Sequence, residues 1–355
     1  MARASGGPDE VQDVTVEVVY EHGAASATAG IWRYSIGDWS VVLKLLRHGA
    51  GGSPAWQSGE DPGHWYYWRR EADAFSSRVL RELVLPLRAP RSYGVFDRSD
   101  GSCAVWLEDL RSIPSAAGWE PVRYRAAAHH LGRAQGHLAR AGRLPEDGWL
   151  GRDWLRRYVE RREVALGQIE DPTVWNHPLV RELLPPETRD ECRAIWQARE
   201  ELLAVIESMP LTLVHCDLHP GNMFGADGET VLIDWGFVGR GPVGEDPGNL
   251  IFDAIWDFFV DPGEFKQLRT AVVQGYVAGL SESGWDGDAE TVVRAITAVG
   301  AVKFFWIPPA MANAAATGSS TLNRRPFEEA FRQWAQIVPE IFAARRAVTS
   351  GPPRP

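Results

Sequence analysis

The segment His215-Cys216-Asp217-Leu218-His219-Pro220-Gly221-Asn222 constrains this 355-residue chain more than any other, together with the apolar run Val231-Leu232-Ile233 and the Asp234-Trp235-Gly236 that ends it. It places a carboxylate, an amide five residues later, and a second carboxylate at the end of a strand-like run. Phosphoryl transfer from a nucleotide uses that set. One Asp aligns an acceptor hydroxyl and takes its proton, while an Asn and a second Asp hold the Mg²⁺ ions that neutralise the phosphates. A polar turn between two strands, capped by Asp and Asn, would show the same residues. Other parts of the chain decide between the two.

Lysine usage is the second constraint. Of 37 basic residues only Lys44, Lys266 and Lys303 are lysines. Lys44 interrupts the apolar run Val41-Val42-Leu43-Lys44-Leu45-Leu46, a strand by its β-branched opening. A charge so flanked must find a partner or be desolvated at a cost. A compact ammonium suits phosphate oxygens as a point charge, although an edge lysine can also snorkel to water. Residues 66–83 are expected to form a helix with Trp68, Ala72, Phe75 and Val79 on one buried stripe. Glu71 borders that stripe, where a glutamate can pair with a strand lysine and position it on phosphates; on a helix surface it would simply be solvated. The Gly- and Pro-rich stretch 48–65 between them is long enough to be a lid or a disordered connection.

Upstream, residues 14–20 alternate like a strand and lead into His22-Gly23-Ala24-Ala25-Ser26-Ala27-Thr28-Ala29-Gly30. Such a small-residue turn lets backbone N–H groups approach phosphates, and Ser26 and Thr28 could add hydroxyl donors around Ala27. Cys103 to Leu110 reads as a strand leaving this region, with a connector able to hydrogen-bond a base edge.

The order of these parts resembles the protein-kinase-like fold, specifically the aminoglycoside phosphotransferase and choline kinase-like family. The resemblance runs over residues 14–260 and rests on Lys44, Glu71, the hinge-like Leu107-Glu108-Asp109-Leu110, His215–Asn222 and Asp234-Trp235-Gly236. It implies an α+β bilobal fold, ATP or GTP as donor and Mg²⁺ as metal. It implies Asp217 as catalytic base, Asn222 and Asp234 as metal ligands, and Lys44 on the α/β-phosphates, oriented by Glu71. The Glu108 carbonyl and the Leu110 N–H would hold the base. The chain departs from the pattern in its phosphate loop, which lacks a tight Gly-x-Gly, in Trp235 where Phe is usual, and in His219, which stands where protein kinases place a lysine. No long activation segment and no Ala-Pro-Glu follows Asp234-Trp235-Gly236, so a platform for a folded polypeptide is not expected. Asp246-Pro247 reads as a helix N-cap with proline at the first helical position.

Residues 1–11 and 348–355 read as disordered tails, 12–112 as a small β-rich nucleotide-binding lobe with one helix, and 113–347 as a catalytic and substrate-binding lobe. In the second lobe helices are expected over 121–142, 153–168, 190–208, 247–260, 264–281, 288–306 and 325–345. Short strands are expected around 211–214, 222–225 and 230–234.

Net charge of −10 argues against nucleic acid as a partner. The acidic excess is concentrated in 217–290, with 14 Asp and Glu against 3 Lys and Arg, which suits metal ions and a cationic substrate as well as a solvated surface. No 18-residue apolar run or secretory signal is read, so no membrane association is expected. Cys103, Cys192 and Cys216 lack metal-ligand spacing, which fits a reduced cytoplasm. Asp253, Asp257 and Asp261, spaced four apart, would form one carboxylate stripe on a helix that Pro262 ends, and Asp253 and Asp257 could bind ammonium groups of an acceptor. Three functions fit these residues: a kinase for a hydroxyl on an antibiotic, amino sugar or related metabolite; a kinase for Ser/Thr of a short ribosomal peptide docking on 143–200; and a non-catalytic nucleotide-binding scaffold. A scaffold has no need of Asp217.

Overall fold

The computed structural model describes residues 14–21, 25–52, 56–142, 144–225, 228–322 and 325–349. It divides into an N-terminal β-sheet region and a mostly helical C-terminal region, the expected α+β arrangement. The sheet contains β1 (Thr15–Glu21), β2 (Thr28–Ile36), β3 (Trp39–Leu46), β5 (Ser92–Asp97) and β6 (Cys103–Glu108), ordered β1-β2-β3-β6-β5 and antiparallel throughout. Val41, Leu43 and Leu46 of β3 are buried. Against the face that carries Leu46 and Lys44, opposite to that of Val41 and Leu43, lies α1 (Arg70–Ser76), where Ala72 joins Leu46, Cys103, Val105 and Leu107 in a small core packed by Trp68 and Phe75.

The helix expected over 66–83 is therefore shorter. Ser77 ends it by turning its hydroxyl onto the Ala74 carbonyl and accepting the Val79 N–H, and a single tight turn, Val79–Arg81, follows. Serine competes in this way with the helical ladder. The apolar stripe survives the break, with Val79 still buried.

A two-residue strand, β4 (Leu87–Arg88), leaves the small sheet's neighbourhood and pairs in parallel with β10 (Thr230–Leu232), which also pairs with β9 (Met223–Phe224). The helical region begins with α2 (Pro121–Ala141) and β7 (Gly151–Arg152). Six helices follow: α3 (Trp154–Arg161), α4 (Val164–Glu170), α5 (Pro172–Trp175), α6 (Pro178–Leu183), α7 (Thr188–Gln197) and α8 (Arg199–Glu207). The expected helices 153–168 and 190–208 are thus each broken in two. Next come β8 (Leu211–Val214), the β9–β10 hairpin, β11 (Gly239–Pro242), α9 (Glu245–Trp256), α10 (Phe265–Glu282), α11 (Ala289–Phe304) and α12 (Ile307–Ala316). The chain closes with the hairpin β12 (Thr321–Leu322) and β13 (Arg325–Pro326), then α13 (Phe327–Ala335) and α14 (Val338–Thr349). The single helix expected over 325–345 is a strand and two helices. Helix α14 runs through Val348, which is buried, and Thr349, past the expected boundary at 347. The tail expected at 1–11 and residues 350–355 lie outside the described residues.

Ala289–Ala316 is long and apolar enough by composition to cross a membrane, and 89% of its most apolar window is buried inside the protein. It is a core element here. The three cysteines are buried and unpaired.

The closest helix packing lies between α2 and α10. Gly132 and Gly136 on one helix face Gly275 and Gly279 on the other. A Cβ on Gly132 would strike the Tyr276 carbonyl, and one on Gly279 the His129 carbonyl, both rigid backbone. Gly132→Ala must push the helices apart, a core overpacking that costs about 1–3 kcal/mol. Urea denaturation should show that loss with an unchanged m-value.

Candidate active site

Strand β3 sets Lys44 opposite Ile31 of β2 and Val105 of β6, facing the cleft side of the sheet. The lysine is buried, and its Nζ lies 2.6 Å from Glu71 Oε2 on α1 and 2.8 Å from Asp234 Oδ1. Burial pulls the ammonium's pKa down, but Asp234 and Glu71 outweigh it and hold the group charged. The same ammonium holds Asp234 below the usual carboxylate range, against its burial. Asp234 sits just after β10 in a left-handed conformation (φ 62°), which turns its carboxylate back toward the sheet. The expected Lys44–Glu71 pair is present, and Asp234 completes it.

Asp217 and Asn222 lie on the loop between β8 and β9. The Asn222 amide donates to the Asp217 carbonyl (2.9 Å), and the Ile233 N–H donates to the Asn222 carbonyl (3.0 Å). This ties the loop to the strand that delivers Asp234. His215 shares a 2.8 Å hydrogen bond between Nε2 and the Ile233 carbonyl, and its ring packs on Trp235. Cys216 takes φ 67°, a strained turn for a residue with a side chain. Asn249 donates to the Cys216 carbonyl (3.1 Å).

What holds that turn was misread in the sequence. Asp246 is not a cap, because the helix start is Gly244 and no side chain bonds there. Its carboxylate is fully buried and accepts the His215 N–H and the Cys216 N–H, each at 2.9 Å, and the Gln135 amide at 2.7 Å. Gln135 in turn accepts from the Tyr276 hydroxyl (2.6 Å). Asp246 is the brace under the loop that carries Asp217.

On the other side of Asp217 the acidic stripe is not as expected. Helix α9 ends at Trp256, with Phe258 at φ 59° immediately after, so Asp257 caps the helix and Asp261 lies beyond it, accepting the Gly263 N–H. Asp253 is not free to meet an ammonium group: Lys303 of α11 pairs with it at 2.7 Å, both side chains being largely buried. Asp253 and, at longer range, Asp217 hold Lys303 charged despite its burial. The rarity that singled out Lys44 applied equally to Lys303. Asp257 keeps an accessible carboxylate, 3.9 Å from His219 Nδ1, and burial and the neighbouring Asp253 push its pKa up to about 6. His219 Nδ1 accepts the Gly221 N–H (3.1 Å), so the contact with Asp257 is not a full ion pair unless the ring changes partner.

A cavity of about 190 Å³ lies between the sheet and the β9–β10 hairpin, floored by Lys44, Glu71 and Asp234 and rimmed by Glu108 and Leu110. Glu108 turns its carboxylate to Arg88 (2.7 Å) and the Arg91 N–H (3.0 Å). Ser26, Ala27 and Thr28 do not line this cavity. Ser26 differs from the expected phosphate donor: its buried hydroxyl donates to Ser58 Oγ (3.0 Å) and accepts the Ser58 N–H (2.8 Å). The Ala27 carbonyl accepts the Arg47 N–H, and Thr28 pairs with Leu46. Residues 22–24 of that turn lie outside the described residues.

The profile of the phosphotransferase enzyme family matches residues 69–290. The chain belongs to this family. The match begins one residue before α1, so the strands that carry Lys44 precede it. A methylthioribose kinase of Bacillus velezensis is 31% identical over 112 residues, which span 29% of this chain and only 28% of that enzyme. Among solved structures, a choline kinase of Cryptosporidium parvum superposes with a TM-score of 0.57 at 13% identity, covering 97% of this chain and 92% of its own. A spectinomycin phosphotransferase in complex with ADP and spectinomycin gives 0.55 at 14% identity, covering 93% of each chain. These likenesses establish the fold.

Asp246→Asn replaces one accepting oxygen by an amide NH2 donor, leaving at least one buried donor unpaired at a cost of about 1–3 kcal/mol. Denaturant titration should register that loss. Amide exchange at His215 and Cys216 should accelerate more than exchange elsewhere in the core.

Proposed function

We propose that this chain is a kinase that transfers the γ-phosphate of ATP or GTP to a hydroxyl of a small molecule bearing an amino group. The observation that carries this reading is the contact of Lys44 with Glu71 and Asp234 at the floor of a cavity, with the loop that carries Asp217 and Asn222 tied through the Asn222 carbonyl to the strand that delivers Asp234. In this reading the Glu108 carbonyl and Leu110 N–H hold the base, and Lys44 neutralises the α/β-phosphates. Asn222 and Asp234 are oxygen donors suited to Mg²⁺, which when bound would neutralise the phosphates. The acceptor oxygen forms a bond to the γ-phosphorus as the bond to the nucleoside diphosphate oxygen breaks, and Asp217 takes the hydroxyl proton. The presence of Asp217 together with Lys44, Glu71, Asn222 and Asp234 favours an enzyme over a nucleotide-binding scaffold, which has no need of a base. Asp257, which has no lysine of its own, supports an ammonium on the acceptor.

Asp217→Asn should keep nucleotide binding and lose transfer about 10²–10⁴-fold, the usual contribution of a positioned general base. Asp234→Ala should instead lose Mg²⁺-dependent nucleotide binding. Calorimetric titration of MgATP and MgGTP into both variants, with a turnover assay, separates the two roles. Full turnover by Asp217→Asn rejects the kinase reading.

Asp257 loses its charge as pH falls through about 6. KM for an amine-bearing acceptor should therefore rise below that pH in the wild type. Asp257→Asn should show the higher KM, by about tenfold, at every pH, with the nucleotide KM unchanged. Acceptor KM measured from pH 5 to 8 in both proteins checks this.

A further inference from the structure

Among the described residues, Arg70 is the one buried arginine, 1% exposed, and no carboxylate lies within ion-pairing distance of it. Its partners are four backbone carbonyls from three places. It donates to His64 (2.6 Å) and Trp65 (2.9 Å) before α1, to Trp149 (2.8 Å) in the helical region, and at the longer distance of 3.5 Å to Gly236 in the Asp234-Trp235-Gly236 turn. Burial pulls its pKa down to about 10, outweighing the opposite pull of nearby groups such as Asp73. A planar fork with five N–H donors can serve such a set, whereas an ammonium cannot match the geometry.

The carbonyls of His64 and Trp65 belong to a strap, residues 56–68, that joins the two regions. At one end Ser58 is bonded to Ser26, and its carbonyl shares a 2.9 Å hydrogen bond with His48 Nε2. Further along, Trp56 packs on Tyr158, and Trp65 lies under Arg161 at 4.0 Å, both partners on α3. Tyr66 packs on Phe237 with ring centroids 4.6 Å apart.

Arg70 and Glu71 are consecutive on one helix, so their side chains leave it about 100° apart. Glu71 faces Lys44 while Arg70 faces the strap and the helical region. Helix α1 has seven residues and no side-chain cap at its start, too short to hold itself. Fixing Arg70 at its far end fixes the rotation of α1 about its own axis, the coordinate that sets Glu71 against Lys44.

We propose that Arg70 is a positioning residue for the nucleotide phosphates: it latches the 56–68 strap and the Gly236 turn to α1, and so holds Lys44 between Glu71 and Asp234. This rests on the nucleotide reading given above.

The test is a double-mutant cycle on the full chain. Kd for MgADP and MgGDP is measured by calorimetry in wild type, Arg70→Lys, Glu71→Gln and the double variant, with folding checked by circular dichroism. Arg70→Gln, which buries no charge, runs in parallel. Arg70→Lys should weaken binding about tenfold, and the double variant should bind no more weakly than Glu71→Gln alone. Wild-type affinity in a folded Arg70 variant overturns the proposal, as do effects that multiply in the double variant or failure of both Arg70 variants to fold. Hydrogen exchange without nucleotide supplies an independent arm. Joint acceleration over 70–76 and 235–238 in the Arg70 variants supports the latch, and acceleration confined to 56–68 overturns it. If wild type binds neither nucleotide, the nucleotide reading fails, and the exchange arm still decides whether Arg70 governs the Glu71 and Asp234 elements.

Discussion

The helical region is organised around one buried carboxylate. Asp246 takes three donors, two from the backbone of the loop that carries Asp217 and one from Gln135, whose backbone carbonyl accepts the Thr212 hydroxyl. Tyr276 extends the set by donating to Gln135 and accepting the Gly244 N–H (3.2 Å). Helices α2, α9 and α10, strand β8 and the loop after it thus share one polar cluster. A half-satisfied cluster in a low dielectric is worse than none, so its members stand or fall together. The glycine contact between α2 and α10 brings Gln135 and Tyr276 close enough for this to work.

Both buried lysines are held by carboxylates, whereas buried Arg70 is held by backbone carbonyls alone. Lys44 has two carboxylates and Lys303 has one, each within 2.8 Å. Removing one partner of such a pair costs far more than the pair contributes in net stability. Lys44 nevertheless carries an excess of negative charge around it, with Glu71 and Asp234 both in contact. Lys303 is closer to balance with Asp253, and the rings of Trp154, Tyr158 and Phe304 lie within 5.5 Å of its ammonium. One site is poised to exchange a partner, whereas the other is closed.

The Lys44–Glu71 pair was legible because its signals are local: a helical stripe bordered by a glutamate, and a lysine where apolar residues surround it. Features that depend on a distant partner were not. Asp246-Pro247 looks like a cap when only its neighbours are considered, since the N–H groups it serves lie about thirty residues earlier. Asp253 reads as an exposed stripe member until Lys303, 50 residues on, is brought to it. Ser26 reads as a phosphate donor until Ser58 takes its hydroxyl. Helix α12 is not among the expected helices, and its Pro308-Pro309 occupy the first turn, where proline needs no N–H. The α2–α10 glycines need both helices in view.

The lysine distribution has a practical side. Two of the three lysines are buried in ion pairs, and the third, Lys266 at the start of α10, has a side chain 85% exposed beside Glu340. Amine-directed reagents therefore find a single accessible lysine, outside the lining of the cleft cavity. A fluorophore or surface tether coupled at Lys266 would sit away from the cleft and leave it open.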